Sequence, residues 1–225
     1  RVFKAARKQG RDISSIKLIV VTKGQPLEIV KTAILAGVKI LGENYAEEAV
    51  EKIISLGDKT GVEWHMIGHV QSRKVNLVTA NFNVMHSLDS LRLAQKLEQT
   101  LNGSGKIMPV MLEFNIGGEL SKFGWQAQDS KNWNELLPEI EQITKLSHLK
   151  VLGLMTMPPF TIEPEQSRNY FIRLRKLRDF LEKQLPGTEL HDLSMGTSSD
   201  YEIAVEEGAS YIRVGQAILG DRFKE

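Results

Sequence analysis

Eight times along this 225-residue chain a short run rich in Ile, Val, Leu and Met gives way to a turn and then to apolar residues at helical spacing. The runs fall at 16–22, 38–41, 63–67, 84–88, 107–116, 150–157, 190–195 and 211–218. Continuous rather than alternating apolar character marks strands covered on both faces, hence a parallel sheet. Helices between them then act as right-handed crossovers. Eight such units in a chain of this length predict a single α/β domain over residues 1–225, a closed (β/α)8 TIM barrel. No G-x-G-x-x-G follows the first run, which argues against an open dinucleotide-binding sheet. Helices are expected at about 27–36, 71–79 and 165–184, the last carrying Tyr170, Leu174, Leu177 and Leu181 on one stripe. Asp89 is expected to cap the helix after the fourth strand.

Composition narrows the function. With 29 basic and 28 acidic residues the formal charge is +1, so the chain carries no field for nucleic acid or an anionic membrane. No apolar run is long enough to span a bilayer. The absence of cysteine excludes disulfides and thiolate metal sites and suits the cytoplasm. The chain opens on Arg1, and 1–9 followed by Gly10 reads as a helix tail with its C′ glycine, so residues upstream are expected.

In a barrel the carboxyl ends of all strands converge on one mouth, so the polar residues there belong together. Lys23 closes the run Leu18 to Thr22. Drawn partly out of water, its amine becomes a nucleophile for a carbonyl; otherwise it reaches to solvent along its stem. Asn44 follows the second run, and His65, with Gly68 after it, belongs to the third. Ser194 to Asp200 is a glycine- and hydroxyl-rich turn that opens a helix. It is either a phosphate cradle or a capped helix start with Ser198 or Ser199 and Glu202 as capping partners. Gly215 offers a second glycine amide beside it. Arg213 interrupts the last apolar run and needs an acceptor, either a ligand ring nitrogen or a carboxylate such as Asp192 or Glu113. His65 and His69 have the spacing of a helical metal pair, but Gly68 and the strand context divide them. Lys122 is either a solvated loop lysine or a second amine near the ligand, and the basic residues Arg168, Arg173, Arg175, Lys176 and Arg178 are expected on a wet helix face.

Several of these stretches together carry a resemblance: Val21-Thr22-Lys23 with Pro26, Gly42-Glu43-Asn44-Tyr45, Trp64-His65-Met66-Ile67-Gly68 with Gln71-Ser72 and Lys74, Ser194 to Asp200, and Arg213-Val214-Gly215 with Ile218-Leu219-Gly220. From first strand to last, the chain resembles the pyridoxal phosphate homeostasis proteins. That resemblance implies a fold type III barrel like the N-terminal domain of alanine racemases, with pyridoxal 5′-phosphate (PLP) as cofactor. Lys23 would carry the cofactor aldehyde as an internal aldimine, Ser194, Gly196, Thr197 and Gly215 would hold the phosphate, Arg213 would face the pyridine nitrogen, and Asn44 would neighbour the ring hydroxyl. Thr22 stands where the family usually has serine, and His69 where it often has proline or lysine. The implied role is a monomeric regulator of vitamin B6 and amino- or keto-acid balance, with PLP-dependent apoenzymes as partners and no robust reaction of its own. Two alternatives stand beside it. One is a racemase or lyase using Lys23 and a base such as Tyr45, His65 or His191; the other is a phosphosugar barrel enzyme with Lys23 on the sugar carbonyl.

Overall fold

The computed structural model describes residues 1–57 and 61–221. Helix α1 (Val2–Lys8) leads into β1 (Lys17–Val21), α2 (Leu27–Leu35), β2 (Ile40–Glu43), α3 (Ala46–Leu56) and β3 (Glu63–Met66). There follow α4 (Val75–Asn81), β4 (Val84–Leu88), α5 (Leu91–Leu101), β5 (Met108–Asn115), a two-residue strand β6 (Trp125–Gln126), α6 (Leu137–Thr144) and β7 (Leu149–Met155). The order ends with α7 (Arg168–Gln184), β8 (Asp192–Ser194), α8 (Tyr201–Glu206), β9 (Tyr211–Val214) and α9 (Gln216–Leu219). All pairings are parallel, and eight strands run β4-β3-β2-β1-β9-β8-β7-β5 before β5 returns to β4. That closure makes the sheet a (β/α)8 barrel. β6 adds to the rim of β5 through Phe114↔Trp125.

Two apolar layers hold the barrel. The larger lies between sheet and helices; Phe171, Leu174, Leu177 and Leu181 of α7 are fully buried in it. At roughly 1.5–3 kcal/mol per buried side chain, this stripe fixes the longest helix to the sheet. The smaller layer fills the barrel lumen with Ile19, Ile67, Met111, Met155 and Tyr211.

Several expectations need correction. The last strand ends at Val214 rather than Ile218; Gly215 turns the chain into α9, where Ile218 is exposed. α5 is capped by Ser90, whose hydroxyl accepts from the Leu93 amide, because Asp89 is engaged by His69. α8 starts at Asp200 with no capping box. Tyr170 is only half-buried, and Phe171 takes its place on the stripe. Nor do the basic residues of α7 form a simple wet face. Arg168 pairs with Glu165, Glu206 and Glu207, Arg175 donates to the Glu207 carbonyl, and Arg173 donates to the Ile116 carbonyl. They join α7 to α8 and to the end of β5. Among the described residues no helix is long and apolar enough to cross a membrane.

Candidate functional site

The lumen is organised by the two-residue period of its strands. Ile19 and Val21 of β1 face inward, so Lys23, just past the strand, continues toward the mouth on the same side. Lys23 and Val21 line one cavity of about 520 Å³ with Gln25, Gly215, Gln216, Gly220 and Asp221. On β9, Tyr211 faces inward, and Arg213 and Gly215 follow at the same spacing. β1 and β9 are paired from Lys17↔Tyr211 to Val20↔Val214, with Arg213 opposite Ile19, so Arg213 lies within the barrel wall below the end of β1 that Lys23 follows.

The backbone around Lys23 is clamped by a buried ion pair that sequence reasoning missed. The Lys52 ammonium donates to the Thr22 carbonyl (2.7 Å), Glu43 Oε1 (2.7 Å) and Glu48 Oε1 (2.6 Å). Glu43 Oε1 also accepts from the Thr22 hydroxyl, and Glu48 accepts from the Gly24 amide. The residues on both sides of Lys23 are thereby tied to β2 and α3. In sequence, Lys52 is one more lysine on an amphipathic helix; only its position against Glu43, with no exposed surface left to that glutamate, gives it this task.

The turn after β8 is equally specific. Gly196 has φ 91°, and a Cβ there would meet Ala204 Cβ at 2.5 Å, so only glycine lets α8 pack this closely. The Asp200 carboxylate, instead of receiving a capping bond at the helix start, accepts from the Thr197 amide (2.7 Å) and hydroxyl (3.1 Å). Ser198 turns its hydroxyl to the Gly215 amide (3.2 Å) and the Ala217 amide (3.3 Å). The donors of the two loops after β8 and β9 therefore converge, bonded here to one another and to Asp200.

Ser194 stands elsewhere. Its side chain is fully buried in the lumen, below the turn, where Arg213 Nη1 donates to Ser194 Oγ at 2.6 Å and Nη2 donates to the Thr156 carbonyl at 2.9 Å. Among the described residues Arg213 meets no carboxylate directly. Burial draws its pKa down to about 10, while the charges of Glu113 and Asp200 push the other way, so it remains a cation at neutral pH. Below it runs a chain of hydrogen bonds: Ser194 Oγ to His86 Nδ1 (2.9 Å), His86 Nε2 to His65 Nδ1 (2.9 Å), and His65 Nε2 to the Glu63 carboxylate (3.2 Å). Burial holds His65 down near pKa 4 and His86 well below its ordinary value, which keeps both imidazoles neutral. The Glu63 carboxylate only accepts, so His65 Nε2–H donates to Glu63, His86 Nε2–H to His65 Nδ1, and Ser194 to His86 Nδ1. Sequence reasoning singled out His65 and overlooked His86, whose only signal was a histidine inside the apolar run Val84 to Leu88.

The opposite half of the mouth is a second cavity, of about 420 Å³, whose lining includes Asn44, Tyr45, Glu113, Lys122 and Phe123. Asn44 is fixed from below by Gly68, where a Cβ would lie 2.3 Å from the Asn44 carbonyl oxygen. His69 points away from His65; it bonds Asp89 at 2.7 Å and stacks on Phe123 with centroids 3.7 Å apart. Glu113 is 8% exposed and makes no hydrogen bond or ion pair among the described residues. Its burial, reinforced by Asp89, raises its pKa to about 7 against the pull of Arg213 and Lys122.

Of the residues expected at a ligand site, Lys23, Arg213 and Gly215 thus share the β1–β9 side, Gly196 and Thr197 form the adjoining turn, and Asn44 lines the facing cavity. Ser194 supports Arg213 from beneath.

Comparison with known proteins bears on this arrangement. Residues 5–223 match the family described as alanine racemase, N-terminal domain. The chain is 37% identical to a pyridoxal phosphate homeostasis protein of Aquifex aeolicus, over 99% of this chain and 94% of that one. It is 33% identical to the protein of the same name in Escherichia coli, over 99% and 92%. PipY of Synechococcus elongatus, solved with PLP bound, superposes with a TM-score of 0.83 at 31% identity, covering 98% of this chain and 100% of that chain. An alanine racemase of Clostridium difficile shares the fold at TM-score 0.68 and 18% identity, with 56% of its length covered. The chain belongs to the alanine racemase N-terminal-domain family and, within it, to the pyridoxal phosphate homeostasis proteins.

Proposed function

We propose that this protein binds PLP at the barrel mouth and serves the cellular balance of vitamin B6 and of amino and keto acids, in the cytosol, without a robust reaction of its own. The observation that carries this reading is that the ends of the paired strands β1 and β9 bring Lys23 and Gly215 to one cavity beside the Gly196–Ser198 turn, with Arg213 in the wall below. When bound, PLP supplies an aldehyde for an amine and a ring that can accept electron density. Lys23 would hold the aldehyde end. The amides and hydroxyls of the Gly196–Ser198 turn and the Gly215 amide would hold the phosphate, exchanging the bonds that Thr197 makes to Asp200 and Gly215 to Ser198. Asn44 would neighbour the ring hydroxyl. Arg213, held by Ser194 and Thr156, would present a fixed cation to the ring nitrogen and keep it unprotonated, which weakens carbanion stabilisation and favours carriage over turnover. Release to PLP-dependent apoenzymes is the use this suits.

The test is an absorbance spectrum of the purified protein before and after borohydride, with peptide mass analysis. The expected result is a visible band that reduces onto Lys23. A protein that stays colourless after incubation with PLP would overturn the reading and favour a phosphosugar ligand. A racemase reading has one surviving base. His65 is enclosed in the hydrogen-bond chain, and His191 precedes β8 at the other end of the barrel, whereas exposed Tyr45 lines the mouth cavity. Amino-acid turnover lost in Tyr45→Phe would support it.

A further inference from the structure

The facing cavity has a chemistry of its own. Its deep wall carries Glu113, a buried carboxyl with no protein partner among the described residues. An unpartnered carboxyl in such a place costs stability unless a donor meets it. A cationic donor entering the cavity would meet this carboxyl and favour its ionised form.

Toward the rim stands Lys122, in the loop after β5, with its ammonium 4.0 Å from Glu119 and too far from Glu113 for an ion pair. Glu113 and Lys122 face the same space without forming an ion pair with each other, although each feels the other's field. Met66, Ile67, Phe123 and Met157 supply apolar wall between and around them. An amine without a second charge would face the Lys122 ammonium across the cavity, and a carboxylate without an amine would face Glu113. A ligand carrying both charges on one carbon, with an apolar side chain, satisfies all three surfaces. At about 420 Å³ the cavity has room for such a molecule.

We propose that this cavity is a binding site for an apolar α-amino acid, its ammonium on Glu113 and its carboxylate on Lys122. The proposal rests on the PLP reading only for its meaning, since the cavity would seat an amino acid beside the cofactor and let the carrier sense the metabolites whose balance it serves. The site itself is present in the chain without cofactor.

The test uses L-norleucine, with hexanoate and pentylamine as analogues that each lack one charge. Binding is followed by calorimetry on the full chain in two forms: without PLP, and loaded with PLP then reduced with borohydride, so that the cofactor is fixed to Lys23 and cannot pass to an added amine. Norleucine is expected to bind both forms, and each analogue at least tenfold more weakly. Glu113→Gln is expected to weaken norleucine at least tenfold and Lys122→Ala severalfold, while both variants still load PLP with the same absorbance. Norleucine binding no tighter than hexanoate, or unchanged in Glu113→Gln, would overturn the proposal. Failure of PLP to load would count against the cofactor reading alone, because the unloaded chain is measured separately.

Discussion

Replacing Glu113 by glutamine removes one ionisation and little volume, and its effect on stability follows from the environment of that carboxyl. Burial and the charge of Asp89 raise its pKa from 4.5 to about 7, against the opposing charges of Arg213 and Lys122. A carboxyl with a raised pKa prefers its protonated form in the folded state. Between pH 4.5 and 7 the native protein therefore binds more protons than the unfolded chain, and stability falls as pH rises. The full loss is about 3 kcal/mol, at about 1.4 kcal/mol per pKa unit. Less than about 1 kcal/mol of it has been lost by pH 5, and the rest by pH 8.5. Urea denaturation of wild type and Glu113→Gln across this range isolates the effect, since other titrating groups cancel in the difference. The expected result is that the glutamine variant gains on wild type by about 2 to 3 kcal/mol from pH 5 to pH 8.5. In thermal melts at the alkaline end that is roughly 5 to 10 °C for a chain of this size. Parallel pH profiles would refute the reasoning, because they would mean that Glu113 is solvated or paired in the native protein.

Other consequences are checked as directly. Lys52→Met leaves the buried Glu43 carboxylate without its cation and should cost about 3–5 kcal/mol in denaturant titrations; adding Glu43→Gln should recover part of it. Gly196→Ala drives a methyl against Ala204 and demands an unfavourable φ, so a loss of about 1–3 kcal/mol is expected by the same measurement. Long-range ¹H–¹⁵N correlation spectra should show His65 and His86 as neutral Nε2–H tautomers at pH 6 to 8; a protonated Nδ1 on either would reverse the assigned hydrogen-bond direction. Since His65 is held down near pKa 4 from 6.5, its contribution is present above pH 6.5 and lost as pH falls toward 4. His65→Gln should accordingly flatten the acid limb of the stability curve.

The barrel was legible in sequence because its signal is repeated and long. Each buried strand reads as a continuous apolar run, and eight of them leave few arrangements. Boundaries were blurred where apolar residues continue past the last sheet hydrogen bond, as at Ala217 and Ile218. Residues that break a pattern could be found: Lys23 ends a strand, and Arg213 sits inside one. Residues that obey a pattern while serving another purpose could not. Lys52 looks like any helix lysine, Asp200 like a capping residue's neighbour, and Ser194 like part of a hydroxyl-rich turn although its strand parity sends it inward. Which of Ser194 and Ser198 meets the Gly215 amide depends on where β8 stops, and sequence does not fix that to one residue.

The pairing of β1 with β9 also sets a schedule. Lys17 and Tyr211 are neighbours across the sheet yet lie at opposite ends of the described chain, so their contact closes a very long loop and is among the slowest to form. During synthesis the segment bearing Lys23 emerges first and must wait, with one edge of its strand unpaired, until the segment bearing Arg213 has followed. The β1–β9 side of the mouth is therefore complete only after the ring has shut. A ligand that draws on both segments meets a complete site only once the chain has been made through β9 and the barrel has closed.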